Sequence, residues 1–203
     1  MAVLGGAGAM GRATVHDLTG SGLAVRLLES DTRTAERVAR RYGHGRARVV
    51  EVDARDASSM AGALRGVRVL VNCAPYAFNP GAMRASLEAG SHYLDLGGLF
   101  HTTRRQLGLD GEFRRAGRLA VLGMGSAPGI VNVLARAGAE RLRRVEAVRI
   151  YNGGADFTRH RASLVFGFSP ATVLDEFTKC PMVFEKGRFR SRAPGSGGED
   201  FPL

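Results

Sequence analysis

The sequence has only two cysteines, Cys73 and Cys180, far apart and with no second Cys or His at metal-ligand spacing. A disulfide framework and a zinc site are therefore not expected, and a reducing compartment fits. No stretch approaches the roughly 18 uninterrupted apolar residues of a membrane span. The N-terminus also lacks a basic segment followed by an apolar run and a small-residue cleavage site. A cytoplasmic protein with no membrane partner is the expectation. Lysine is nearly missing as well: Lys179 and Lys186 are the only ones, so almost all positive charge is arginine.

The formal net charge is +10 and the pI about 10.8. A basic face is the usual footprint of nucleic-acid binding. Here the arginines are scattered, as at Arg12, Arg33, Arg37, Arg40, Arg41, Arg65 and Arg84, in positions that suit outer helix faces. No basic run is interleaved with aromatics, as a single-strand groove requires. The charge pattern thus argues against nucleic acid and for a positive field that attracts anionic small molecules. At 203 residues the chain has room for one complete domain and a small or incomplete second one.

Short apolar runs alternate with helical stripes through the first half. Val3 and Leu4 lead into glycines, and Met10, Thr14, Val15 and Leu18 share a helical face. Leu23 to Leu28 reads as a strand, with Ala35, Val38, Ala39 and Tyr42 as the next helix stripe. Val49 to Val52 is a third strand, followed by a helix with Asp56 at its N-cap and Ala57, Met60, Ala61 and Leu64 along one side. The apolar run Val67 to Val71 suits a strand covered on both faces. Asn79 and Pro80 are placed to start a helix and Gly90 to stop it. His92 to Leu96 and Leu119 to Leu122 read as strands around a polar helical stretch from Thr102 to Ala116.

Strands separated by crossover helices imply a parallel, doubly wound α/β sheet. Gly123, Gly125, Pro128 and Gly129 mark a hinge, so the expected boundary lies between residues 126 and 127. Beyond it a helix from Ile130 to about Leu142, a strand from Val145 to Tyr151, a helix from Ser169 and a strand Met182 to Phe184 read as the beginning of a second α/β unit. The first strand is short and the second unit ends before it could close a sheet, so the chain is expected to be clipped.

Gly6, Ala7, Gly8, Ala9, Met10 and Gly11 spell G-x-G-x-x-G between a strand and a helix. In that pattern the first glycine permits the tight turn, the second lets the backbone approach a pyrophosphate, and the third lets helix and strand pack closely. Free N–H groups at the helix N-terminus then face the phosphates. Glu29 ends the second strand, near the roughly 20-residue offset of a ribose-binding acid. This is the signature of a Rossmann-type NAD(P) domain. A carboxylate there favours NAD over NADP, although Arg33 is close enough in sequence to meet a 2′-phosphate.

Asp53 ends the third strand and reads equally as a contact to the adenine or as a cap for its own turn. Asn72, Cys73, Ala74 and Pro75 end the fourth, on the rim where open α/β sheets bind ligands. Cys73 reads as a packed small residue rather than a nucleophile, because no base adjoins it. On the fifth strand, alternation puts Tyr93 and Asp95 on one face and His92 on the other. Asp95 is the first candidate for acid/base or orienting chemistry, followed by Tyr76 and His101. Each of these also reads as a hydrogen-bonded loop residue.

These segments resemble the saccharopine dehydrogenase family, which includes lysine 6-dehydrogenase-like enzymes. The likeness is carried by the opening glycine motif, by Val71 to Tyr76 and by Leu87 to Gly98. It continues in Gly123 to Ile130 and Ser169 to Phe177, outside the nucleotide fold. The resemblance implies NAD(P)-linked hydride transfer at an amine-bearing carbon of lysine or a related amino acid, through an imine that water hydrolyses. It also implies a substrate domain inserted after the sixth strand, inside which this sequence stops, and residues 127–203 as a partial substrate or dimerisation domain. The expected partner is a small amino-acid substrate, with a homodimer for the complete protein. The competing reading is a non-catalytic NAD sensor or a family remnant.

Overall fold

The computed structural model describes residues 1–153, 157–160, 165–166, 169–198 and 200. They form two compact units, Met1–Val148 and Arg149–Leu203. The first holds β1 (Ala2–Leu4), α1 (Ala9–Gly20), β2 (Val25–Glu29), α2 (Thr32–Tyr42), β3 (Ala47–Glu51), α3 (Ala57–Leu64) and β4 (Val69–Asn72). A single 3-10 turn (Tyr76–Phe78) leads into α4 (Asn79–Glu88), followed by β5 (His92–Asp95), α5 (Phe100–Leu107), α6 (Asp110–Arg115), β6 (Ala120–Val121) and α7 (Ile130–Ala139).

The six strands lie in the order β3-β2-β1-β4-β5-β6, with every neighbouring pair parallel. That is the doubly wound dinucleotide-fold order, and the chain reverses direction across the sheet between β1 and β4. Both faces are covered, which is why β1 is wholly apolar. Val3, Leu27 and Val71 pack with Val15, Ala35 and Val38 on one side. On the other, Ala2, Leu4, Leu28, Leu70 and Tyr93 pack with Met60, Leu64, Met83 and Phe113. Asp31 caps α2 through the Thr34 N–H and Asp56 caps α3 through Ser58 and Ser59, contributions of about 1 kcal/mol each. Gly90, at φ +67, ends α4.

The polar stretch expected as one helix from Thr102 to Ala116 is two helices. Gly108 ends α5, and the Leu109 N–H turns back to the Gln106 carbonyl so that the Leu109 side chain enters the core. Asn79 does not cap α4. It is the helix's first residue, with Phe78 at the N-cap, and its side chain is buried. The apolar alternation from Val145 to Tyr151 makes no strand, and Val148 and Ile150 are exposed. A strand needs a neighbour for its N–H and C=O groups, and among the described residues none pairs with this segment. Described residues of the second unit form α8 (Pro170–Thr178), N-capped by Ser169, and an antiparallel hairpin of β7 (Met182–Glu185) and β8 (Arg188–Ser191).

Candidate functional site

A cleft of about 440 Å³ opens at the carboxyl ends of β1 to β4, lined among others by Gly5, Gly8, Glu29, Asp53, Arg55, Cys73, Ala74 and Pro75. It sits where the strand order reverses, the place at which open α/β sheets receive ligands.

The glycine loop builds one wall. Gly5, not Gly6, takes the left-handed conformation, at φ +71, and a Cβ on it would lie 2.8 Å from the Ala74 nitrogen. The tight turn therefore belongs to Gly5, and the neighbouring glycine in the sequence was its only signal. Gly6 is small for a different reason, since a Cβ there would press into the Leu27 side chain at 2.6 Å. Gly11 brings α1 against the backbone of Gly5 and Gly6. Gly8 faces the cleft, and the only neighbour a Cβ would meet within 4 Å is the Gly5 carbonyl oxygen, at 3.3 Å. It is the N-cap of α1, no side chain caps that helix, and its first turn holds no acid. Ala9 and Met10 are exposed there. A helix end with uncapped N–H groups opening into a cleft is a cradle for an anion, and the phosphates of a dinucleotide fit it.

Glu29 is brought to the same loop. Its Oε2 accepts from the Ala7 N–H at 3.3 Å and its Oε1 from the Ser30 N–H at 3.1 Å. Asp53 lies across the cleft and is tied to its own turn: Oδ1 accepts from the Arg55 N–H at 2.9 Å and Oδ2 from Arg55 Nη2 at 2.8 Å. The Arg55 side chain, followed by its backbone N–H, holds the Asp53 carboxyl below the usual carboxylate range. Asp53 thus caps its own turn and also lines the cleft. Arg55, unsuspected from sequence, is the arginine on this wall; Arg33 is not among the lining residues.

Cys73, Ala74 and Pro75 form the opposite wall. The Cys73 sulfur lies 3.6 Å from Thr14 Oγ1, and burial pushes its thiol up despite that contact, the opposite of what a nucleophile needs. Asn72 stands behind this wall. Its Oδ1 accepts from the Ala74 N–H at 3.0 Å, and its Nδ2 donates to Asn79 Oδ1 at 2.9 Å and to the Tyr93 hydroxyl at 3.1 Å.

Asp95 belongs to the same buried network. Its Oδ1 accepts from the N–H groups of Gly97 at 2.9 Å and Gly123 at 2.8 Å, and its Oδ2 accepts from Gln106 Nε2 at 2.6 Å. Gln106 Oε1 in turn accepts from Asn79 Nδ2 at 3.3 Å. Burial, then the Asp95 charge, push the Tyr93 phenol up and keep it protonated. Asp95 is 1% exposed, its contacts suit the orienting half of its reading, and none of the three acid/base candidates, Asp95, Tyr76 or His101, is among the residues that line the cleft. Tyr76 and His101 stand outside, edge to face with ring centroids 6.0 Å apart. Asn79 and Gln106 were not legible as network members, because their pattern in sequence is that of ordinary polar helix residues.

A family model described as saccharopine dehydrogenase NADP binding domain matches residues 1–121. The chain belongs to this family. Its fold is also that of a solved saccharopine dehydrogenase, the L-glutamate-forming enzyme from Saccharomyces cerevisiae, at TM-score 0.54 and 20% identity over 68% of this chain and 31% of that one. This chain thus spans about a third of the yeast enzyme's length. An NADPH-dependent quinone oxidoreductase from Escherichia coli is similar at TM-score 0.46 and 18% identity, over 60% of this chain and 45% of that one. The saccharopine dehydrogenase domain of this chain is an NAD(P)-binding domain with a six-stranded parallel sheet. No described helix is long and apolar enough to cross a membrane.

Proposed function

We propose that this chain is the nucleotide-binding part of an NAD(P)-dependent oxidoreductase acting at the C–N bond of an amino acid of the saccharopine or lysine type. The observation that carries the proposal is the convergence of an uncapped helix N-terminus at Gly8 and the Glu29 carboxylate on one cleft, in a member of the saccharopine dehydrogenase family. When bound, the nicotinamide supplies the hydride acceptor or donor. In this reading Gly8, Ala9 and Met10 offer backbone N–H groups to the pyrophosphate, and Glu29 accepts from the ribose hydroxyls. Asp53 and Arg55 border the adenosine end. Cys73, Ala74 and Pro75 keep the other wall small enough for the nicotinamide ribose to reach the backbone. Tyr76 and His101 are the acid/base candidates, and Asp95 holds the loops at Gly97 and Gly123.

The test follows NADH absorbance with a panel of amino acids, for the 203-residue chain and for any longer form that contains it. Turnover of lysine or saccharopine is the expected result in the longer form, with cofactor binding and little turnover in the shorter. Hydride transfer requires the substrate carbon to be held about 3–3.5 Å away in a near-attack arrangement, a task for residues beyond the nucleotide fold. Activity confined to simple alcohols or hydroxy acids overturns the substrate assignment.

A second expected outcome concerns the cofactor. A carboxylate at Glu29 repels a 2′-phosphate, so NADH should bind more tightly than NADPH. Glu29→Ser should shift the ratio toward NADPH by about tenfold, equivalent to about 1.4 kcal/mol. Comparative fluorescence titration measures it. Tighter NADPH binding by the unmutated chain would show that Arg55 outweighs Glu29.

A further inference from the structure

The opposite end of the sheet carries positive charge that no carboxylate among the described residues offsets. Arg26 on β2 and Arg48 on β3 are register partners, so they stand side by side on one face, with their strands about 4.8 Å apart. Arg46 precedes Arg48 by two positions and falls on the same face by the strand period. Like charges placed opposite one another across a strand pair are destabilising when nothing of opposite sign lies between them. None of the three arginines takes part in an ion pair among the described residues. Arg26 is held in place all the same: its Nη1 donates to the Ala63 carbonyl at 2.7 Å and the Arg65 carbonyl at 2.8 Å, at the C-terminal end of α3. Arg46 Nη1 donates to the His44 carbonyl at 3.3 Å.

The three arginines line a cavity of about 310 Å³ together with Met1, Gly66 and Val67, and no acidic residue among the described ones lines it. We propose that this cavity is a second anion site, which takes a small phosphorylated ligand between Arg26, Arg46 and Arg48. Guanidinium forks match phosphate oxygens in paired hydrogen bonds, and the volume is at the small end of ligand pockets. A concave site with three arginines in its lining fits a compact di- or trianion better than an extended nucleic-acid backbone. The cavity is at the amino-terminal ends of β2 and β3 and the cofactor cleft at the carboxyl ends of β1 to β4, so both can be filled at once.

Isothermal titration with inorganic pyrophosphate at low ionic strength tests the site. Because the glycine loop could also hold pyrophosphate, wild type is compared with Gly8→Val and with Arg46→Gln/Arg48→Gln. Arg46 and Arg48 are exposed, whereas Arg26, which holds two carbonyls, is left intact. The expected result is that Gly8→Val keeps a pyrophosphate affinity that the double arginine variant loses by roughly tenfold or more, while the double variant binds NADH like wild type. Arg48→Gln alone gives the same direction if the double variant fails to fold. Absence of binding to wild type overturns the proposal, as does loss in Gly8→Val with retention in the arginine variant. An equal loss in Arg104→Gln/Arg105→Gln on α5 would reduce the effect to the diffuse field of a basic protein. Binding of a DNA oligonucleotide without pyrophosphate binding would replace the small ligand with nucleic acid.

Discussion

Gly8→Val is expected to abolish NADH binding while leaving the fold intact. Gly8 has φ −68 and ψ 174, an extended conformation that a β-branched residue adopts without strain. A Cβ there meets only the Gly5 carbonyl oxygen, at 3.3 Å, so that oxygen has to yield by a few tenths of an ångström. The valine methyls would occupy the cleft in front of the α1 N-terminus, where the proposed pyrophosphate approaches. Loss of two charge-assisted hydrogen bonds at about 1.5–3 kcal/mol each corresponds to a Kd weakened by on the order of 10²-fold or more. Fluorescence titration reads the affinity and thermal unfolding reads the fold. Equal NADH affinity for the two proteins would remove the cofactor from this cleft.

The neighbouring glycine of the motif gives the internal contrast. At Gly11 an added Cβ collides with the Gly5 carbonyl and crowds the Gly6 Cα at 2.7 Å, and these are backbone atoms with nowhere to go. A side chain at Gly11 therefore damages folding and binding together, whereas one at Gly8 damages binding alone. The two glycines look alike in the motif, and only the packing around them separates a structural from a ligand-facing role.

The lining of the cleft was legible because it is set locally. Gly8, Glu29 and Cys73 to Pro75 each end a strand or begin a helix, and strand ends in a parallel sheet converge by topology. The assignment of the tight turn to Gly6 was off by one residue because Gly5 and Gly6 are adjacent and the motif cannot say which has positive φ. Arg55 was invisible for a related reason: whether an arginine two residues past a strand turns into a cleft depends on its pairing with Asp53. The register of Arg26 against Arg48 is fixed by the strand pairing, which two separate short runs do not disclose.

The second unit was less legible than the first. The Ser169 cap and the Pro170 start of α8 are local signals, and both held. The segment Val145 to Tyr151 has strand-like alternation, but alternation states only which faces a strand would have, not that a partner exists. β8 was missed although Lys186 and Gly187, at φ 50 and 76, make the two-residue turn that joins it to β7.

Asp95→Leu is expected to lower unfolding stability by about 4 kcal/mol, with or without cofactor. The carboxylate is buried and accepts from three donors, the N–H groups of Gly97 and Gly123 and the amide of Gln106. An apolar replacement leaves all three without their acceptor, at about 1–3 kcal/mol for each donor that stays dry. The total falls short of the sum because loops relax. Gly97 and Gly123 cannot relax far, since Cβ positions on them lie 2.5 and 3.1 Å from the Pro128 Cγ. Asp95→Asn is the more informative variant. Its oxygen can still serve the two glycine N–H groups, but its amide would face the Gln106 amide, donor to donor. Turning Gln106 over to cure that clash would break its acceptance from Asn79 Nδ2. Gln106→Glu supplies a carboxylate that accepts from both neighbours, so the double variant should recover most of the stability lost by Asp95→Asn alone. Chemical denaturation of the two single variants and the double variant closes the cycle. Loss of activity by Asp95→Asn with unchanged stability and no rescue would instead make Asp95 a group that exchanges protons with the reactants, in place of one that holds the β5 and β6 loops where the cleft needs them.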